Sequence, residues 1–279
     1  MSSLAVIKLS EHVGAEVQGV DAERLLDDGT LPGAVLAALE EHGVLVFPKL
    51  CLEPEMQVAM AERLGEVDFS VGQKSVPGTM LVTLDKTKSA KAEYLRGTFH
   101  WHMDGCTLPE GHHPQAATIL SAVALAERGG ETEFASTYRA FDALTRDEQE
   151  RCGRLQVLHS LAATQRLVTG PPFPRPDDPP DPGTRRHPLV WRHRSGRRSL
   201  VIGATAAAVV GTDPPAGRAL LDHLLERATG PGSVYRHHWS LGDTVIWDNR
   251  GLLHRVEPYD LDSPREMLRT SLVGDEPIR

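Results

Sequence analysis

"SVYRHHWSLGDTVIWDN", residues 233–249, reads as two short β-strands, "SVYRHHWS" and "DTVIWDN", joined through Leu241-Gly242. Upstream, "LVWRHRSGRRSLVIG" (189–203) reads as a hairpin around Ser195-Gly196, and a single helix, "PAGRALLDHLLERATG" (215–230), separates the two strand pairs. Further back, "AATILSAVALA" (116–126) precedes a Gly-Gly turn and "TEFASTYRAFDAL" (132–144) follows it. Many strands with turn signals and few helices in the second half favour a β-sandwich or jelly roll.

The first half is more helical. "LPGAVLAALEEHGVLVFPKL" (31–50) predicts a helix ended by Gly43, then a short apolar strand from Val44 to Phe47 stopped by Pro48. "LEPEMQVAMAERLGEVDF" (52–69) sets Met56, Met60 and Leu64 at helical spacing, with Gly65 just past the end. Thr145 followed by Glu148 is a capping-box start for a helix through about Leu155. Residues 170–188 carry eight prolines and can be neither regular helix nor central strand. They predict a surface loop or lid, over 162–190, inside one domain spanning 1–279, because the later strands continue the earlier sheet.

A net charge of -8 and a pI near 5.9 give no electrostatic footprint for nucleic acid. No apolar run approaches the roughly 20 residues of a membrane span, and the N-terminus lacks a signal-peptide pattern. Cys51, Cys106 and Cys152 are odd in number and form no C-x-x-C pair, which fits a reducing compartment. A cytoplasmic protein follows as the expectation, with a homo-oligomer compatible with it. Cys106 is read as a buried inert thiol despite its histidine neighbours.

"FHWHMDGCTLPEG" (99–111) places His100, His102 and Asp104 at alternate positions, which in an extended chain share a face. Ligands two residues apart sit about 6–7 Å apart at Cα and can converge on one ion, whereas His100 and Asp104 are about 13 Å apart. His102 belongs to both usable pairs. Its companion is either His100 or Asp104. Among the other histidines, His237-His238 lie in a strand where at most one can face a core, and His159, His187 and His193 read as ordinary polar histidines. His254 stands apart, because "WDNRGLLHR" surrounds it and Arg265 and Arg269 follow it.

"HWHMDG", "GGETEFASTYRAFDAL" and "WDNRGLLHRVEPYDLDSPREMLRTSLVGD", together with "GAEVQGVD" and "HGVLVFP", resemble the taurine dioxygenase/2,4-dichlorophenoxyacetate dioxygenase family of Fe(II)- and 2-oxoglutarate-dependent enzymes. The resemblance spans nearly the whole chain. It implies a mainly β fold with flanking helices, a double-stranded β-helix of the jelly-roll, cupin-like kind. It places the family's His-x-Asp on His102 and Asp104 and its distal histidine on His254, and leaves His100 off the metal. The cosubstrate contacts fall on Thr132 and on Arg265, eleven residues after the distal histidine. In the family's taurine enzymes the arginine matching Arg269 holds the sulfonate, and an asparagine stands where this chain has Thr98. Taurine itself is therefore not the expected substrate, and the wording around "WDNRGLLHRVEPYD" is nearer to the aryloxyalkanoate enzymes.

The activity so implied is hydroxylation of a small anionic organic substrate (a carboxylate, sulfonate or sulfate ester), using Fe(II), 2-oxoglutarate and dioxygen. Where the hydroxylated carbon bears oxygen or sulfur, C–O or C–S cleavage follows. Two guanidinium groups at Arg265 and Arg269 on one strand face would be costly unless anions met them. A zinc-type metallohydrolase using His102, Asp104 and His254 would leave Arg265 and Thr132 no anion to serve. A non-catalytic ligand-binding jelly roll should have a broken ligand set, and all three ligand types are present. Trp247 and Tyr259 are expected beside the site. Arg192, Arg194, Arg197 and Arg198 read as a solvated hairpin edge.

Overall fold

The opening stretch does form two strands, Val234–His237 and Thr244–Asp248, but they lie in different sheets and not in one hairpin. Thr244–Asp248 is buried at all five positions and pairs antiparallel on both sides, so it is a central strand. Val234–His237 instead pairs with Thr132–Ser136. The link through Leu241-Gly242 thus turns a corner between layers, as sandwich folds require of strands that look like local neighbours.

The computed structural model describes residues 4–70, 76–89, 92–170 and 183–279. In chain order come β1 (Val6–Lys8), β2 (Ala15–Val17), α1 (Ala22–Asp27), α2 (Leu31–His42), β3 (Val44–Phe47), α3 (Pro54–Leu64) and β4 (Met80–Val82). Next are α4 (Ala92–Leu95), a 3-10 turn over Arg96–Phe99, β5 (Ala117–Ala124), β6 (Thr132–Ser136), α5 (Thr137–Asp142), α6 (Arg146–Cys152), β7 (Gln156–His159) and α7 (Leu161–Thr169). The last part holds β8 (Arg185–Pro188), β9 (Val190–Arg192), β10 (Arg198–Leu200), β11 (Ala206–Val209), α8 (Pro214–Ala228), β12 (Val234–His237), β13 (Thr244–Asp248), β14 (Leu252–Val256) and β15 (Glu266–Ser271).

The major sheet runs β1-β2-β3-β13-β5-β15-β4, and β12-β6-β14 forms a three-stranded sheet. Period-two alternation distributes β13 between two cores. Val245 and Trp247 pack with Phe134, Leu252 and Met267 on one face. Ile246 points the other way, among Leu31, Val35, Met60 and Leu64 from α2 and α3. A third cluster around Trp191, Leu200, Ile202 and Leu221 joins β9, β10 and α8. This is the expected jelly roll with flanking helices, its sheets open at the edges. Among the described residues no helix is long and apolar enough to cross a membrane.

Local signals set several boundaries. β3 covers Val44–Phe47 as read, and Gly43 caps α2 with φ 72°. The Thr145–Glu148 capping box is formed in full, though α6 stops at Cys152, short of Leu155. The hairpin at Ser195-Gly196 is the β9–β10 pair. The expected loop over 162–190 is narrower than read. Ser160 caps α7, which runs to Thr169, and Arg185–Pro188 pairs with β7 as β8. Most of the proline-rich run, 171–182, lies outside the described residues.

Candidate metal centre

β14 and the chain after the 3-10 turn meet at a two-residue bridge. His102 N–H donates to His254 O at 3.0 Å, and His254 N–H donates to His102 O at 2.9 Å. Two histidines 152 positions apart, by subtraction of their numbers, are therefore fixed side by side by main chain alone. Gly203 allows the approach. At φ +110° it sits against this segment, and a Cβ there would lie 2.9 Å from Trp101 O and 3.1 Å from His102 Cα.

His102, Asp104 and His254 offer ligand atoms that all lie within 4.8 Å of one another. Nε2 of each histidine is 3.9 Å from an Asp104 oxygen, and the imidazole centroids are 4.1 Å apart. Ligand atoms about 2.1 Å from one ion lie up to about 4 Å apart, so the spacing fits a single metal. The protonation pattern fits as well. His102 Nδ1 lies 2.8 Å from the His100 carbonyl, which can only accept, so the proton sits on Nδ1 and Nε2 keeps its lone pair. Burial lowers the affinity of both His102 and His254 for a second proton. At Asp104 burial works towards protonation, but Arg269, His254 and His102 outweigh it and hold the carboxyl far below its usual range. Two neutral imidazoles and one carboxylate result, a donor set suited to Fe(II).

His100 does not join them. The alternation of the quoted stretch ends at Asp104, which opens a turn, and the His100 ring instead meets the Leu167 carbonyl of α7. Arg269, in β15, donates from Nη2 to Asp104 Oδ2 at 2.7 Å and to Thr118 Oγ1 at 3.3 Å, and from Nε to Ser271 Oγ at 3.2 Å. Arg265 precedes β15, upstream of a register shift between Glu266 and Met267, and turns elsewhere. Only 2% exposed, it donates to the Gly130 carbonyl at 3.0 Å and stands 5.0 Å from the Tyr259 ring centroid. No carboxylate among the described residues forms an ion pair with it. Gly130, at φ +82°, leaves it room: a Cβ there would lie 2.9 Å from Arg265 Cδ. Thr132 is buried at the start of β6, and its Oγ1 accepts from Trp239 Nε1 at 3.0 Å. The Thr98 hydroxyl donates to Leu95 O at 2.6 Å.

Trp247 lines the centre, its ring 5.0 Å from that of His254. Cys106 is buried, and its thiol is pushed up to about 12, an inert group as read. Sequence reasoning missed three contributors. Trp239 was unremarked, although its place two residues after the core-facing His237 was a usable signal. The carboxylate of Glu133, 4% exposed, lies between Arg255 and Arg236, its register partners on β14 and β12. Arg255 also stands 4.9 Å above the Trp101 ring, bracing the residue before His102. Tyr94 is the third, its phenol raised by burial and by the Asp104 charge.

The chain matches "Taurine catabolism dioxygenase TauD, TfdA family" over residues 5–271. It is 35% identical to the (S)-phenoxypropionate/alpha-ketoglutarate-dioxygenase of Sphingobium herbicidovorans, covering 97% of this chain and 95% of that one. Identity is also 35% to the alpha-ketoglutarate-dependent 2,4-dichlorophenoxyacetate dioxygenase of Cupriavidus pinatubonensis, covering 85% and 86% of the two chains. The crystal structure of AAD-2 in complex with Mn(II) and N-oxalylglycine superposes with a TM-score of 0.83 at 30% identity, over 99% of this chain and 100% of that one. The chain belongs to the TauD/TfdA family and is a 2-oxoglutarate-dependent non-haem iron dioxygenase.

Proposed function

We propose that His102, Asp104 and His254 hold Fe(II), that Arg265 and Thr132 bind the distal carboxylate of 2-oxoglutarate, and that the enzyme hydroxylates a small aryloxyalkanoate-type anion. The observation that carries this reading is the convergence of the three donor atoms within 4.8 Å. Arg265 supports the cosubstrate assignment, since a buried guanidinium met, among the described residues, only by the Gly130 carbonyl and Tyr259 is costly and gains from an anion. A zinc hydrolase would leave that charge unanswered.

When bound, the iron supplies dioxygen activation and the oxidation of a substrate C–H bond, coupled to conversion of 2-oxoglutarate to succinate and carbon dioxide. The protein supplies position and charge. His100 O fixes the His102 tautomer, so that Nε2 is the donor atom. Arg269 keeps Asp104 ionised and oriented through Nη2. Its Nη1 has no protein partner among the described residues, and we assign that donor to the substrate anion, with Thr98 at the same pocket. Trp247 and Phe134 wall the His254 side with apolar surface. If the oxidised carbon carries an ether oxygen, the hydroxylated product is a hemiacetal or hemiketal that releases the phenol. The two phenoxy-acid relatives support this class.

A succinate-release assay under air, run with aryloxyalkanoates, alkyl sulfates and sulfonates, tests the assignment. Release coupled to an aryloxyalkanoate, with phenol formed in equal amount, is the expected result. Coupling only to a sulfate ester or sulfonate would move the substrate class. No coupling to any acid would count against the reading.

A further inference from the structure

Thr132 and Trp239 share a hydrogen bond whose direction is fixed by chemistry. An indole N–H can only donate, so at 3.0 Å Thr132 Oγ1 is the acceptor. The single hydroxyl proton of Thr132 must therefore point elsewhere. Thr132 is 1% exposed, so bulk water does not take that proton, and no acceptor for it is found among the described residues. A buried donor left without an acceptor is destabilising. Arg265 lies close by, since its Nη2 donates to the carbonyl of Gly130, two residues before Thr132. Glu131 does not answer the Arg265 charge with an ion pair, and its carboxylate lies 3.6 Å from the exposed His238.

The indole is itself held in place. The ring of His237 meets Trp239 edge-on, with centroids 4.5 Å apart and planes at 85°. Burial pushes His237 down to about 4, so its imidazole is neutral. A neutral ring can accept the Tyr235 hydroxyl on Nδ1 at 3.1 Å, and its Nε2 stands 3.2 Å from Asp243 Oδ2 without a hydrogen bond. Asp243 in turn accepts the amides of Lys49 at 2.9 Å and Ser240 at 2.8 Å. Tyr235 thus holds the ring against which the indole packs.

We propose that Trp239 is a positioning residue for the cosubstrate: its indole N–H occupies a lone pair of Thr132 Oγ1 and leaves the hydroxyl proton for the anion that Arg265 also meets, which makes preference for a 2-oxo diacid over a 2-oxo monoacid depend on Trp239. The inference rests on the assignment of Thr132 and Arg265 to the distal carboxylate. A Thr132 hydroxyl free to rotate would present a lone pair to the incoming anion part of the time. With one of its two lone pairs engaged by the indole, fewer rotamers turn acceptor density towards the anion, and neutral O–H and charged guanidinium can act on one carboxylate.

Calorimetric titration of the Mn(II)-loaded protein under nitrogen, with 2-oxoglutarate and separately with 2-oxobutanoate, tests this. Trp239→Phe keeps an aromatic ring and removes the N–H. It should weaken 2-oxoglutarate about tenfold and leave 2-oxobutanoate within about twofold. Thr132→Val should do the same, Thr132→Ser should bind like wild type, and the Trp239→Phe/Thr132→Val double variant should be no weaker than Thr132→Val alone. Unchanged 2-oxoglutarate binding in Trp239→Phe, equal loss for both acids, or additive losses would overturn the proposal. Wild-type protein that binds neither acid would instead overturn the site assignment beneath it. If Trp239→Phe does not fold, the Trp239 indole N–H resonance in otherwise native protein decides. Thr132→Val should move it upfield, and a resonance that stays in place would refute the contact.

Discussion

Arg269 Nη2 lies 2.7 Å from Asp104 Oδ2, so the arginine read from sequence as a substrate contact is bonded to the carboxylate of the proposed metal centre. Both roles fit one guanidinium, because its donors form a rigid fork. Arg269→Ala should raise the substrate KM much more than the 2-oxoglutarate KM and should weaken Fe(II) binding about tenfold, the usual cost of removing a partner of a metal ligand. Arg269→Lys should restore neither in full. A variant that raised the 2-oxoglutarate KM most would reverse the assignment of the two arginines.

His100 reaches the centre only through its main chain. Its carbonyl orients His102 while its ring meets Leu167 O. His100→Ala should therefore keep Fe(II) affinity within about threefold and increase hydrogen exchange at the C-terminal end of α7. Loss of metal comparable to that in His102→Ala would show that the ring is a ligand.

Glu133 bridges Arg236 and Arg255 from the buried centre of a three-stranded sheet. Removing its charge leaves two half-exposed arginines to be solvated, which limits the loss. Glu133→Gln should lower stability by about 1–2 kcal/mol in urea titration and weaken metal binding less than twofold. A stability change near zero would mean the network is a solvated decoration.

Buried histidines away from the proposed metal site should make the fold acid-sensitive. Burial pushes His159 down to about 3 and His193 and His237 to about 4, whereas each takes a proton near 6.5 once unfolded. Between those values the unfolded chain binds more protons, so stability falls as pH drops from about 6.5 towards 4. Each histidine contributes a slope of up to about 1.4 kcal/mol per pH unit. Urea midpoints measured across this range should decline steeply, and His193→Gln should flatten the decline. An equal slope in the variant would assign the acid sensitivity to other groups.

Local chemistry explains what the sequence disclosed. Gly43 with Pro48, the Thr145–Glu148 box and the Ser195-Gly196 turn act over a few residues and placed β3, the start of α6 and the β9–β10 hairpin. Pairing across the chain was not legible. β13 sits between β3 and β5, whose partners lie more than a hundred positions away, and nothing within "SVYRHHWSLGDTVIWDN" records that its halves part. The same holds at the site. His102, Asp104 and His254 followed from motif resemblance, whereas the Arg269–Asp104 bond and the Trp239–Thr132 bond depend on side-chain directions that spacing does not encode.

The central claim is that two imidazoles and one carboxylate, without His100, hold the iron that chelates the 2-oxo acid. Anaerobic addition of Fe(II) and 2-oxoglutarate, followed by visible absorption, tests it most directly. A weak charge-transfer band should form in wild type and His100→Ala and vanish in His102→Ala, Asp104→Ala and His254→Ala. A band that survives His254→Ala, or that His100→Ala abolishes, would contradict it.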